Sequence, residues 1–379
     1  MMIRIQRENN SLSQGLQAFF AKILGLKEID ALFLPLKLAD SDSVMPALVT
    51  DPAQLERALP FSPAFPVNSA RMVSRLSFRQ SGRKTAVFLR SCEIRAFIEL
   101  VKLKQGSRQE LVIIGMDCPG ALTSQDYRSY VQKGSLPADK FIETVFSGSR
   151  KNINGFEFSP ACACCEHPFA VNADINIMGF GVDLSDGMIA DACTDKGKKL
   201  LESLELPEAS DPLKRSEILE IIKDEKSQAA KIMILDIDQQ TDSVEKLAGF
   251  FDMCINCYNC RNMCPVCYCK ECVFNTDVFT HKPFQYHQWA EKKGSIKMPT
   301  DTVFYHLTRM AHMSLACVGC GQCSNACPSN IPVYELFRSV SSVSQAAFAY
   351  QPGMDEDAPP PLSVFNEKEF EEIVGIGDN

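Results

Sequence analysis

The stretch CINCYNCRNMCPVCYCKEC runs from Cys254 to Cys272 and places seven thiols within nineteen residues. Its first four, Cys254, Cys257, Cys260 and Cys264, follow the spacing C-x2-C-x2-C-x3-C-P. Cys317, Cys320, Cys323 and Cys327, followed by Pro328, repeat it. The chemistry that needs this spacing is an iron–sulfur cube. Two-residue gaps let a tight loop aim three thiolates at three corners, while the fourth cysteine points away and ligates the neighbouring cube. The expected sets are therefore Cys254, Cys257 and Cys260 with Cys327, and Cys317, Cys320 and Cys323 with Cys264. Zinc prefers isolated C-x2-C pairs, so a zinc-stabilised scaffold is the lesser reading of two such runs.

Three thiols of the opening stretch are left over: Cys267, Cys269 and Cys272. They cannot fill a four-thiolate site alone. They cap the module, bind zinc, or join a further cluster with Cys164 as a candidate fourth ligand. The first half of the chain holds Cys92, Cys118, Cys162, Cys164, Cys165 and Cys193, three of them in ACACCEHPF. Cys92 and Cys118 flank a strand–helix–strand pattern at strand ends, and such ends gather on one edge of a sheet. Cys92 and Cys118 can thus converge with the C-x2-C pair Cys162 and Cys165; buried free cysteine is the competing reading. The count of cubes is two from the paired runs, a third from this set and a fourth if the leftover trio is completed.

The elements that must position these thiols are legible as periodicity. LQAFFAKIL has helical spacing and DALFLPLKL reads as a strand. TAVFLR, CEIRAFIELVKLKQG and ELVIIGMDC predict strand, helix and strand. NADINIMGFGVD and GMIADAC predict an antiparallel pair turning at SDG. Residues 194–248 are charged and helical, a connector with a solvated face. VFYHLTRMAHM, at 303–313, reads as an amphipathic helix on which His306 and His312 are packing or surface residues rather than ligands. The expected organisation is an α/β (α+β) domain over 1–240, a mainly α-helical two-[4Fe-4S] ferredoxin-type domain over 241–345, and a Pro- and acid-rich tail over 346–379. That tail stays mobile or lies along a neighbour.

Composition excludes some classes. The chain has 379 residues, 45% of them hydrophobic, and a net charge of −8. No basic patch suggests nucleic acid, no apolar run is long enough for a membrane span, and the first residues lack the features of a secretory signal. The expected compartment is the cytoplasm, where seventeen cysteines, an odd number, point to metal rather than disulfides. No G-x-G-x-x-G follows a strand, so a Rossmann dinucleotide site is not expected.

The order of these motifs resembles the β subunits of coenzyme-linked [NiFe] hydrogenases and of methanogen-type formate dehydrogenases, over most of residues 10–345. RSCEIRAFIEL resembles the family's PCQ-I-x-A-L segment, and VIIGMDCPG its G-L-x-C-x-G segment. SPACACCEHPFAVNADINIMGFG resembles its C-x2-C-x-D-F…A-D-I-x-x-G stretch, and CPVCYCKEC resembles the formate dehydrogenase branch. The resemblance implies a flavoprotein-like first domain carrying FAD and one [4Fe-4S] cluster, held here by Cys92, Cys118, Cys162 and Cys165. The chain departs from the family at SLSQGLQAFF, with only Gly15 where a Gly-Gly helix start is usual, and at Glu166-His167-Pro168-Phe169. Gly179 and Gly181 are the candidate flavin-approach positions, since glycine lets backbone come close to a cofactor; a simple bend is the competing reading.

The implied function is electron transfer. The chain would be a non-autonomous subunit of a cytoplasmic oxidoreductase, passing electrons between FAD and [4Fe-4S] clusters. Its partners would be the catalytic and electron-transfer subunits of a formate dehydrogenase, hydrogenase or heterodisulfide-reductase-like complex. The alternative is a reductase with its own site for hydride exchange with a deazaflavin or NAD. No acid–base pair or activated nucleophile suggests independent catalysis.

Overall fold

Alternating and continuous apolar runs become strands, and the computed structural model describes residues 1–147 and 152–364. In chain order the first half carries β1 (Met2–Ile5), α1 (Leu12–Leu24), β2 (Ala31–Lys37), β3 (Val44–Val49), α2 (Ala70–Ser77), β4 (Thr85–Leu89), α3 (Ser91–Lys102), β5 (Leu111–Met116), α4 (Ser124–Gln132) and α5 (Ala138–Ser147). A small ribbon of β6 (Asn152–Ile153) and β7 (Phe156–Glu157) follows. Then come the one-turn α6 (Pro160–Ala163), β8 (Ile175–Met178), β9 (Met188–Ala192) and α7 (Asp195–Glu202).

Seven strands form one mixed sheet in the order β1-β9-β8-β5-β4-β2-β3. β2, β4, β5 and β8 run parallel in the middle, and β3 and β9 pair antiparallel at the flanks. The expected strand–helix–strand unit is β4–α3–β5, with Thr85 opposite Leu111 and Leu89 opposite Gly115. The expected antiparallel pair is β8 and β9, with Met178 opposite Ile189.

Successive side chains leave a strand on opposite faces, so the sheet builds two cores. Leu32, Leu34, Ala86, Phe88, Val112, Ile114, Ile175 and Ile177 pack on one side with Leu16, Phe19, Phe20 and Ile23 of α1. Phe33, Val87, Leu89, Leu111 and Ile113 pack on the other with Val73 of α2 and Ile94, Phe97 and Ile98 of α3. This second core continues into the rest of the chain through Ile237, Phe251, Tyr305, Met310, Val333 and Phe337. Each fully buried large apolar side chain stabilises by about 1.5–3 kcal/mol, so shared packing ties the cysteine-rich part to the sheet.

The second half comprises α8 (Arg215–Thr241), α9 (Val244–Phe250), α10 (Asn259–Asn262), α11 (Pro283–Lys293), α12 (Thr302–Met313), α13 (Gln322–Asn325) and α14 (Val333–Ala347). Of the 27 residues of α8 only Arg215, Ile222, Ala230 and Ile237 are buried, which fits a solvated connector. It is nevertheless anchored along its length. The Arg215 guanidinium donates to both oxygens of buried Asp117 at 2.6 and 2.9 Å, and Lys226 Nζ donates to the Cys162 carbonyl at 2.6 Å. The Ser339 hydroxyl of α14 donates to Asp238. No helix among the described residues is long and apolar enough to cross a membrane.

The start of the tail lies along a neighbour. Tyr350 Oη and Gly353 N donate to Glu99 Oε1 at 2.6 and 2.7 Å, and Arg95 Nε donates to the Pro352 carbonyl at 3.0 Å. The remainder of the expected tail, 365–379, lies outside the described residues.

Candidate iron–sulfur centres

The two paired runs are built alike. In each, a residue in the left-handed region precedes a one-turn helix that carries the third cysteine: Tyr258 (φ 61°) before Cys260 in α10, and Gly321 (φ 73°) before Cys323 in α13. The backbone thus turns back on itself between the second and third thiols, as three thiolates aimed at one body require.

The thiols fall into neighbouring sets. Burial pushes the Cys254 thiol up, and Cys260 and Cys327 act on it in the same direction. Burial also pushes Cys264 up to about 12; Arg309 pulls against it, while Cys267 and Cys317 add to it. Cys320 is raised by burial and then by Cys264, and Cys323 by burial, Cys320, Cys317 and Cys264, with Arg309 opposing. Each run's fourth cysteine therefore lies close to the other run. Cys257 is exposed. Cys267 feels Cys269 and Cys272, so the leftover trio sits together.

The third set forms at the sheet edge. Cys92 stands at the start of α3, directly beyond β4, and Cys118 just beyond β5; Cys162 and Cys165 come from α6 and the turn after it. All four line one cavity, together with Arg90, Gly120, Lys226 and Cys320. Burial raises Cys118 to about 12; Arg90 opposes this, and Cys162 and Cys165 reinforce it. Ala121 N donates to Cys162 Sγ at 3.3 Å. Cys164 lines a different cavity, of about 450 Å³, with Cys165, Glu166, His167, Tyr334 and Arg338. Its thiol neighbour is Cys165 rather than the trio. Cys193 is exposed, with its thiol 3.7 Å from the Asp191 carbonyl.

Cys320 joins the second and third sets. After burial, it is the group that raises the Cys92 thiol most strongly. Asn68, itself buried, donates to the Cys92 carbonyl at 3.5 Å and reaches the Cys320 thiol. A Cβ on Gly321 would lie 2.3 Å from the Cβ of Ala161, so only glycine lets these loops approach so closely. Gln322 Nε2 and Asn325 Nδ2 both donate to the Phe65 carbonyl across the same joint.

Gly179 and Gly181 make their close approaches to protein. A Cβ at Gly179 would meet the Phe146 ring at 2.6 Å, and one at Gly181 (φ 75°) would lie 2.8 Å from the Arg215 Cα. The backbone amides of Gly179 and Phe180 donate to Asp117. The bend is fixed by a buried carboxylate and its arginine.

Helix α12 supplies groups that the cysteine spacing did not reveal. Its buried face is Thr302, Tyr305, His306, Arg309, Met310 and Met313. Tyr305 Oη lies 3.4 Å from Cys260 Sγ, and His306 Nε2 lies 3.4 Å from Cys254 Sγ. His306 stacks flat on Phe251 at 3.7 Å, and burial lowers its pKa to about 3, so the ring is neutral. The available signal was helical period: positions 302, 305, 306, 309 and 313 share one stripe, and arginine and tyrosine on a core-facing stripe need partners.

The donor chemistry fits iron–sulfur clusters. Four thiols per set suit groups whose metal displaces the proton and neutralises the sulfur. Burial opposes ionisation of Cys254 in the first set, Cys264, Cys320 and Cys323 in the second, and Cys92, Cys118 and Cys165 in the third. Among the described residues no three His, Cys, Asp or Glu side chains converge tightly enough to ring one metal ion. A four-iron cube carries its cysteines at separate corners, wider than the shell of a single ion.

Comparison with known proteins agrees with this picture. A family model described as a 4Fe-4S dicluster domain matches residues 250–331. The F420-dependent formate dehydrogenase subunit β of Methanocaldococcus jannaschii is 24% identical over 371 residues, 92% of this chain and 93% of that protein. The F420-dependent formate dehydrogenase 1 subunit β of Methanococcus maripaludis is 26% identical over 312 residues, covering 74% and 75%. A chain of the F420-reducing [NiFe] hydrogenase complex from Methanosarcina barkeri aligns with a TM-score of 0.44 and 14% identity, over 65% of this chain and 94% of that one. The chain is thus similar to the formate dehydrogenase β subunits along nearly its whole length, and residues 250–331 match a 4Fe-4S dicluster domain.

Proposed function

We propose that the chain is the electron-transfer subunit of a multi-subunit oxidoreductase of the formate dehydrogenase kind. The groups its thiols would hold supply one-electron transfer. Cys254, Cys257, Cys260 and Cys327 would hold one cluster, Cys317, Cys320, Cys323 and Cys264 the second, and Cys92, Cys118, Cys162 and Cys165 the third. The observation that carries this reading is the joint at Cys320, where the second set abuts the third within one cavity wall. A relay needs that adjacency; three independent structural metal sites do not. The protein's own part is to fix spacing, through Asn68 and the Gly321–Ala161 contact.

The finer reading adds FAD as the two-electron partner beside the third cluster, a cytoplasmic location, and a catalytic subunit that performs the substrate chemistry. Motif resemblance supports the flavin, and the F420 dependence of both curated relatives favours hydride exchange with a deazaflavin as the second reading. Anaerobic purification of the full chain, with iron, sulfide and released flavin counted, tests both. Cys92→Ser is expected to remove the iron of one four-iron cluster and leave the spectra of the other two. Unchanged iron in that variant would overturn the third site. Rapid bleaching of bound flavin by a reduced deazaflavin favours the second reading over the conduit.

A further inference from the structure

The inference concerns Arg309 and rests on the dicluster reading. Arg309 is 2% exposed, near the middle of α12. Its Nη2 donates to the Cys260 carbonyl at 3.2 Å, while Nε and Nη1 are buried with no hydrogen-bond partner among the described residues. The guanidinium lies over the Phe337 ring, 4.7 Å from its centroid, and 5.8 Å from that of Tyr305. A buried cation with two idle donors is costly unless negative charge stands beside it. The groups that act on it electrostatically are, largest first, Cys260 of the first set, Tyr305, and then Cys264 and Cys323 of the second; with metal bound, the three thiols would be thiolates. Packing against Phe337 alone would be met by leucine or methionine and gives no reason for a permanent charge.

We propose that Arg309 is the shared counter-charge of the two ferredoxin-type clusters and makes both easier to reduce. Each reduction adds one electron and therefore one negative charge to a cluster with its thiolates. In the assay the electron comes from a low-potential reductant such as dithionite. A fixed cation in a water-free site stabilises that added charge. Arg309 acts on the clusters without ligating them, so it is a positioning and tuning residue. Tyr305 and His306 are its natural contrasts, because each reaches a thiol of the first set only.

The test is a potentiometric titration of the anaerobically purified full chain, followed by electron paramagnetic resonance, with iron and sulfide counted for every variant. For Arg309→Met the reduced-to-oxidised ratio at a fixed ambient potential should fall about tenfold or more for both clusters, a tenfold change being 59 mV for a one-electron couple. Arg309→Lys keeps the charge and should hold both ratios within about threefold of the native values. Tyr305→Phe should move the first cluster alone. Full loading of Arg309→Met with either ratio unmoved overturns the proposal. Should that variant fail to load, Arg309→Lys decides: a tenfold loss there assigns the effect to the shape of the fork and overturns it too. A native protein without iron and sulfide instead overturns the dicluster reading on which this rests.

Discussion

The paired-run region and the sheet-edge site hold the same kind of thiol sets by opposite means. Around Cys254–Cys264 and Cys317–Cys327 the thiols are close in sequence, on loops that each include a one-turn helix. At the sheet edge, Cys92, Cys118 and the Cys162–Cys165 pair come from three places in the chain, brought together by parallel β4 and β5. The first design leaves the metal to organise the loops, as in small metal-dependent folds. The second builds the frame from a seven-stranded sheet with cores on both faces and inserts the thiols at its rim.

The strongest way to break this contrast is to remove iron. Chelation under anaerobic reducing conditions should loosen residues 252–331 while the sheet persists. Limited proteolysis would then cut between α10 and α13 and spare the fragment from β1 to α7. One cooperative loss of both would show that the shared core through Phe251, Tyr305 and Phe337 makes them a single unit.

A smaller effect sharpens the sheet side. Arg215→Ala leaves Asp117 buried and uncompensated behind the Gly179–Phe180 bend. Breaking one partner of a buried pair costs about 3–5 kcal/mol, to be read as a lower urea midpoint. A midpoint within error of the native one would mean that water reaches Asp117.

The joint between the regions comes next. Gly321→Ala would force a methyl against Ala161 and strain a φ of 73°. Overpacking of this kind costs about 1–3 kcal/mol. The expected signature is weaker magnetic coupling between the second and third clusters at full iron content. Unaltered coupling would place the electron path elsewhere.

The smallest expected effect lies in the connector. Ser243 caps α9 by accepting from Lys246 N at 3.2 Å. Removing such a cap with Ser243→Ala costs about 1 kcal/mol, seen as faster amide exchange over 244–250 with no change in iron.

How far each region was legible follows from the same contrast. The paired runs could be read outright, because their geometry is written in gaps of two and three residues. The sheet-edge set needed the argument that ends of parallel strands share an edge, and Cys162 with Cys165 were its only local signal. The central strands showed as apolar runs because they are buried on both faces. Arg309 was legible only as a cation on a core-facing helical stripe, without its partners, and Asn68 was not legible at all: what marks it is the company it keeps after folding, and no spacing rule encodes it. Gly179 and Gly181 show the converse. Glycine signalled a close approach, but the sequence could not say that Phe146 and Arg215 were what approached.

The strap from Tyr350 to Gly353 has a consequence for how the chain comes off the ribosome. Arg95 and Glu99 of α3 emerge early, yet their hydrogen-bond partners Pro352 and Gly353 arrive 257 and 254 positions later. A nascent sheet must therefore wait, with a buried-to-be carboxylate still wet, until residues 350–353 have been made. A pause or early stop before that point would release a polypeptide whose α3 surface is unlatched and open to proteases.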